Sequence, residues 1–230
     1  MTKLRVANDG VLTGTTEQSF TGAMAKVARQ WVIDRSPLRA PPDNAPLLQD
    51  IANGWRTPAS GAFRFDSPSA LSDPYKVTSS YKFDAKWQPP PRGGNLAFPV
   101  GLPIFGRPGH ALLGQRQATR SAPFFCMAGT QSETIELTFG DDLAMPRLPP
   151  PRQISTADFE YLATFETKGR TIVAQRTFVS RVPGQVCAPT FDQTHAEPLR
   201  AMANSLSAYL PFGARNLSPG EPGMPAKRAR

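Results

Sequence analysis

Between Tyr75 and Trp87 the chain alternates. Tyr75, Val77, Tyr81, Phe83, Ala85 and Trp87, with Ser79 among them, take one set of positions, and Lys76, Thr78, Ser80, Lys82, Asp84 and Lys86 take the other. Successive strand side chains point to opposite faces, so this period of two predicts a half-buried strand over 75–87. The same phase recurs where Ile135, Leu137 and Phe139 interleave with Thr134, Glu136 and Thr138. "ADFEYLATFETKGRTIVAQRTFVSRV" predicts a long hairpin, with Phe159, Tyr161, Ala163 and Phe165 on one face and Thr167, Lys168 and Gly169 in the turn. Its return arm is rich in β-branched residues, which suit strands. Near the N-terminus, Asn8, Asp9 and Gly10 separate two β-prone runs and predict a first hairpin, its second arm running on through Phe20. "GAFRFDSP" and "SAPFFCMAG" predict shorter strands.

Helical spacing replaces alternation in three places. Met24, Val27, Ala28 and Trp31 recur at helical intervals after Thr21, a suitable N-cap, and the helix must stop before Pro37. A shorter helix follows Asp43 or Asn44, with Pro46 in its first turn and Gly54 as its stop. A last helix is expected over 192–210, its stripe formed by Leu199, Met202, Leu206 and Tyr209 or Leu210, with Pro198 early in it.

The chain holds 25 prolines in 230 residues. Proline is excluded from helix interiors and central strands, so this excess favours a β architecture with long connections. Residues 88–121 are rich in Pro and Gly, yet Leu96, Phe98, Val100, Leu102, Ile104, Phe105, Leu112 and Leu113 are too apolar for a solvated linker. An ordered crossing over an end or edge of the sheet is expected there. The resulting fold class is mainly β: one antiparallel, β-sandwich-like domain over 1–212 with two or three peripheral helices. A flexible basic tail is expected over 213–230.

The net charge is +8, and the densest basic run is Lys227, Arg228 and Arg230 at the C-terminus. Elsewhere Lys and Arg are scattered, with no recognised nucleic-acid motif, so no nucleic-acid partner is expected. No apolar run approaches the roughly 18 residues that span a bilayer. "MTKLRVANDG" has no apolar segment of the signal-peptide kind. As written the chain is expected in the cytoplasm; as part of an exported parent it would be periplasmic or envelope-associated.

Candidate chemistry is sparse. Cys126 and Cys187 fit no zinc or CxxC spacing, and they are either two buried thiols or one disulfide closing a loop of about 60 residues. A disulfide requires an oxidising compartment. Cysteine catalysis needs a base and an orienting group, and Cys187, Asp192 and His195 are near one another in the chain. Pro189 interrupts them and no oxyanion-hole motif is visible, so no catalytic residue is assigned. His110 reads as a loop residue, and the adjacent Asp141 and Asp142 read as solvated. No metal or cofactor is expected. Trp55 and Trp87 adjoin loop signals, where each ring either stacks on a sugar or a peptide proline or packs on the sheet edge.

The order of the pieces carries one further signal. "LRVANDGVLTGTTEQSFTGAMAKVAR", "SDPYKVTSSYKF", "TIELTFGDDLAMPRLPPP" and "FEYLATFETKGRTIVAQRTFVSR" follow one another before a terminal helix. From Leu4 to Leu210 this resembles the region that follows the transglutaminase-like core in bacterial proteins that also carry an N-terminal β-domain of unknown function. The resemblance rests on segment order more than on any rigid motif. It implies an accessory module of an exported or membrane-associated protein. It also implies that the Cys-His-Asp machinery belongs to a preceding core, and nothing here matches that core. The expected function is a non-catalytic accessory or interaction module, its partner a transglutaminase-like core or another envelope protein. The alternative is a glycan- or peptide-binding module of the cell envelope.

Overall fold

The computed structural model describes residues 1–35, 45–54, 56, 58–71, 74–88, 93–109, 112–113, 120–126 and 128–213. Trp55, His110, the caps expected at Asp43 or Asn44, and the basic tail with Lys227, Arg228 and Arg230 lie outside the described residues. In chain order the elements are β1 (Thr2–Val6), β2 (Leu12–Phe20), α1 (Gly22–Arg35), α2 (Ala45–Gly54), β3 (Ala59–Phe65) and β4 (Tyr75–Phe83). Then come β5 (Gly94–Ala97), β6 (Phe124–Phe125), β7 (Gly129–Phe139), β8 (Arg152–Ser155), β9 (Phe159–Lys168) and β10 (Thr171–Ser180). Last are β11 (Val186–Cys187), α3 (Phe191–Thr194), α4 (Ala196–Leu206) and β12 (Tyr209–Phe212).

The fold is mainly β. Eight strands form one sheet in the order β3-β4-β2-β1-β7-β10-β9-β8, while β5 pairs with β12 and β6 with β11 as small separate ribbons. Two antiparallel halves, β3-β4-β2-β1 and β7-β10-β9-β8, meet at β1 and β7, which run parallel with Thr2 opposite Ile135 and Val6 opposite Phe139. The sheet is therefore mixed, not wholly antiparallel as expected. Side-chain alternation is the same in either direction, so pattern alone does not distinguish them. The seven strands of five or more residues all belong to this sheet, so no second sheet of long strands is present among the described residues.

The alternation sorts the sheet into two unlike faces. Leu4, Val6, Phe63, Tyr75, Val77, Tyr81, Phe83, Ile135, Leu137, Ile172 and Ala174 are buried together with Ala25, Ala28 and Val32 of α1, Leu47, Leu48 and Ile51 of α2, and Phe98, Leu102, Leu210 and Phe212. On the same face of β9 and β10, Phe159, Tyr161 and Phe178 join Phe191, Leu199 and Met202 in a second cluster. The proline-rich crossing is thus ordered where described: Phe98 and Leu102 are core residues. Among the described residues no helix is long and apolar enough to cross a membrane.

Hydroxyls in core positions fasten this crossing to the sheet. Thr16 Oγ1 lies 3.1 Å from Thr2 Oγ1 and 2.7 Å from Tyr81 Oη. Ser79 donates to the Leu102 carbonyl, and Gln18 accepts from the Ile104 amide. Gly101 crosses directly over this row, where a Cβ would sit 2.1 Å from Thr16 Oγ1, so no larger residue fits. Burial pushes the phenols of Tyr81 and Tyr75 up to about 12 from an ordinary value of 10.0. The folded state holds these protons more tightly than the unfolded chain does. Their contribution is therefore complete below pH 10 and is lost as pH rises towards 12. Urea midpoints should fall across this window. Tyr81→Phe should cost about 1 kcal/mol at neutral pH through the lost hydrogen bond, and should flatten the alkaline decline.

Between the two apolar clusters lies an ionic group. Glu133 of β7 and Arg176 of β10 are cross-strand partners on the packed face. Arg176 Nη1 lies 2.9 Å from Glu133 Oε2, and Arg107 Nε lies 3.4 Å from the same oxygen. Arg107 also donates to the Leu206 carbonyl at the end of α4. The Arg176 guanidinium sits 5.4 Å from the Phe98 ring centroid and 5.3 Å from that of Phe165, and its Nε and Nη2 have no hydrogen-bond partner among the described residues.

Three boundaries differ from expectation. The strand expected over 75–87 ends at Phe83, which pairs with Ala59, the first residue of β3; beyond it the Asp84 and Trp87 amides bond the Pro58 and Gly10 carbonyls outside any ladder. The hairpin turn is Gly169-Arg170, with Lys168 already paired to Thr171. The last helix breaks at His195 (φ −109°), and the chain re-enters a strand at Tyr209. Pro198 lacks the amide that would bond the Thr194 carbonyl, which removes one of the bonds that would carry a continuous helix through this point.

Candidate functional site

The polar phase of the alternation builds the open face of the sheet. One row crosses four strands as Lys82, Thr13, Arg5 and Thr138, and the next as Ser80, Thr15, Lys3 and Glu136. Neighbouring strands lie about 4.8 Å apart, so each row presents a side chain at that interval. Together with Ser60 of β3 these residues line a hollow of about 670 Å³. Gly61 lets the backbone of the edge strand approach β4 closely here. Its φ is +153°, and a Cβ would lie 2.0 Å from the Ser80 carbonyl oxygen, so backbone meets backbone where other residues would hold the strands apart.

The trough is cationic and rich in hydroxyls. Lys3, Arg5 and Lys82 face one carboxylate, that of Glu136, whose Oε2 is 3.8 Å from Lys3 Nζ. Both partners of that pair are well exposed, so it contributes less than about 1 kcal/mol and leaves the local charge positive. Thr138 and Thr171 share a hydrogen bond at 2.9 Å on the adjoining strands. Among the described residues no group of three His, Cys, Asp or Glu side chains converges as a metal site. The trough can bind an extended, anionic or hydroxyl-bearing ligand; it offers no paired nucleophile and base.

The residues singled out by sequence lie elsewhere. Cys126 and Cys187 are joined in a disulfide with Cα atoms 5.7 Å apart, both buried in the second cluster beside the β6–β11 ribbon. His195 Nε2 lies 2.8 Å from Asp158 Oδ2, with its ring against Phe191 and Phe159. Asp192 lies 3.9 Å from Arg120. Cys187, His195 and Asp192 therefore each have another partner and form no relay. Trp87 is engaged as packing: its ring centroid is 5.7 Å from that of Phe139 and 5.8 Å from that of Phe212, and its amide donates to the Gly10 carbonyl. Asp142 accepts a hydrogen bond from Asn8 Nδ2, and Asp141 faces Arg170.

The trough residues were present in the alternation as its solvent phase. Lys82 and Lys3 look like ordinary surface lysines until strand order brings β4, β2, β1 and β7 side by side. Comparison with family models, with curated proteins and with solved structures finds no match for this chain.

Proposed function

We propose that this chain is a non-catalytic interaction module, an accessory part of a cell-envelope assembly, and that the trough on the open sheet face grips an acidic segment of its partner. The observation that carries this reading is the contrast between the faces: one is filled by helices and connections, the other is a basic hollow of about 670 Å³. Clefts lined by one sign of charge raise the local concentration of oppositely charged partners and speed their docking. The resemblance in segment order makes a transglutaminase-like core the first partner to consider. The sandwich-like arrangement belongs to this proposal as well, because a partner seated on the open face would supply the second layer.

The test is the triple variant Lys3→Glu, Arg5→Glu and Lys82→Glu, probed with a fluorescein-labelled oligoglutamate peptide by anisotropy. All three side chains are exposed, so the thermal midpoint should stay near that of the parent. Parent affinity should fall with added salt, and the variant should bind at least about tenfold more weakly, since three charge contacts become repulsions. An absence of binding by the parent, or equal binding by both proteins, would remove the basis for the reading.

A further inference from the structure

A second hollow, of about 370 Å³, opens on the packed side of the sheet, where the end of α4 meets β12 and the edge strand β8. None of its residues lines the trough. Its floor is the half-buried ring of Phe165, held from within by the Arg176 guanidinium. Arg152 of β8 stands on one side; Asn204, Ser205 and Ser207 stand on the other. The Ser205 hydroxyl is fixed by Tyr161 Oη at 3.1 Å. The buried Pro149 forms part of the wall and restricts its movement.

Tyr209 completes the cleft, and packing does not explain it. In β12 the inward residues are Leu210 and Phe212; Tyr209 points the other way, is 58% exposed, and has only the small Ala97 as its cross-strand partner. An exposed phenol ring, a guanidinium, a carboxamide and hydroxyls thus surround one hollow. A pyranose ring has complementary chemistry: a C–H face that lies on an aromatic ring and an edge of hydroxyls that both donate and accept. Arg152 supplies donors, Asn204 supplies both kinds of group, and the serines adapt to either. The volume falls within the roughly 300–1,000 Å³ of small-ligand clefts. We infer that this cleft is a saccharide-binding site, with Tyr209 as the stacking platform and Arg152 and Asn204 as the hydrogen-bonding groups that orient the sugar.

Saturation-transfer NMR with cellotetraose, chitotetraose and maltotetraose tests the assignment on the full chain. At least one should receive saturation at its ring protons. Tyr209→Ala should weaken that binding by at least about tenfold, as expected for loss of the central aromatic anchor. Tyr209→Phe should retain it, because the ring face is what the sugar uses. Asn204→Ala, on an exposed helix end, should weaken it several-fold with the fold intact. The assignment is overturned if none of the three sugars receives saturation, or if Tyr209→Ala binds as the parent does. It is equally overturned if a proline-rich decapeptide, and none of the sugars, perturbs the Tyr209 resonances. The trough variant should leave sugar binding unchanged, which separates failure here from failure of the acidic-partner reading.

Discussion

Glu133→Ala should lower the stability of the domain by about 3–5 kcal/mol, whereas Arg176→Met should be tolerated or even stabilising. Glu133 is the one carboxylate shown between two guanidinium groups. The Arg176 side chain is 0% exposed and that of Arg107 is 8% exposed. Burial pulls Arg107 below its ordinary range, and Glu133 is the group that opposes it most. Without the carboxylate, two like charges face each other in an apolar layer, and neither can reach water without moving its element. Arg107 also holds the Leu206 carbonyl, so any such movement loosens the crossing and α4 together. Replacing Arg176 has the opposite logic. Two of its nitrogens have no hydrogen-bond partner among the described residues, and it lies between Phe98 and Phe165, where a thioether packs well. Glu133 keeps Arg107 as its counter-ion. At roughly 2–4 °C per kcal/mol for a chain of this size, thermal melting should show a drop of about 10 °C for Glu133→Ala and little change for Arg176→Met. Equal losses in the two variants would show that the carboxylate is not what keeps the cations in place.

That ionic group shows what was legible in the sequence and what was not. The alternation predicted β4, β7, β9 and β10, and the turn chemistry of Asn8, Asp9 and Gly10 predicted the first hairpin. Those features are local, and local patterns carry them. Glu133 and Arg176 are not among the residues singled out above, although Glu133 shares a phase with Ile135 and Leu137 and Arg176 with Ala174 and Phe178. A charge in the buried phase of each of two strands is a signal for a cross-strand ion pair, and the structure makes them opposite partners. Strand order was not legible. The parallel joint of β1 and β7 brings together residues more than 120 positions apart, and no period in either strand encodes which neighbour it takes. The trough depends on that joint, because Lys3 and Arg5 come from β1 and Glu136 and Thr138 from β7. Helical spacing puts Tyr209 or Leu210 at the end of the last apolar stripe. The break at His195 and the exit from α4 at Leu206 place Tyr209 on a strand, where its neighbour Leu210 turns inward and the ring turns out.

Replacing both Cys126 and Cys187 by alanine should cost about 2–4 kcal/mol, or a fall of roughly 4–16 °C in melting temperature. The two residues are 61 apart, so the cross-link removes a large loop's worth of freedom from the unfolded chain. On the chain-entropy account a loop of that length contributes about 4 kcal/mol, an upper figure because unfolded chains retain structure. The native contacts add to the expectation. β6 and β11 pair through only two residues each, Phe125 with Val186 and Phe124 with Cys187, and so short a ribbon does not hold itself together in water. The cross-link therefore secures the ribbon to the second cluster, where Phe124 packs against Phe191 and carries Arg120 over its ring at 3.8 Å. Loss of the bond should speed amide exchange at Phe124, Phe125 and Val186 while leaving β1 to β4 protected. It should also raise the denaturant m-value, because the unlinked chain exposes more surface when it unfolds. Intact mass and thiol labelling in denaturant check the premise. A chain lighter by its two thiol hydrogens, with nothing to label, carries the bond, and the full loss of stability should follow. Two thiols that label only after unfolding would mean that the cysteines are separate core residues. The double variant should then show only the smaller cost of two truncated side chains, with an unchanged m-value.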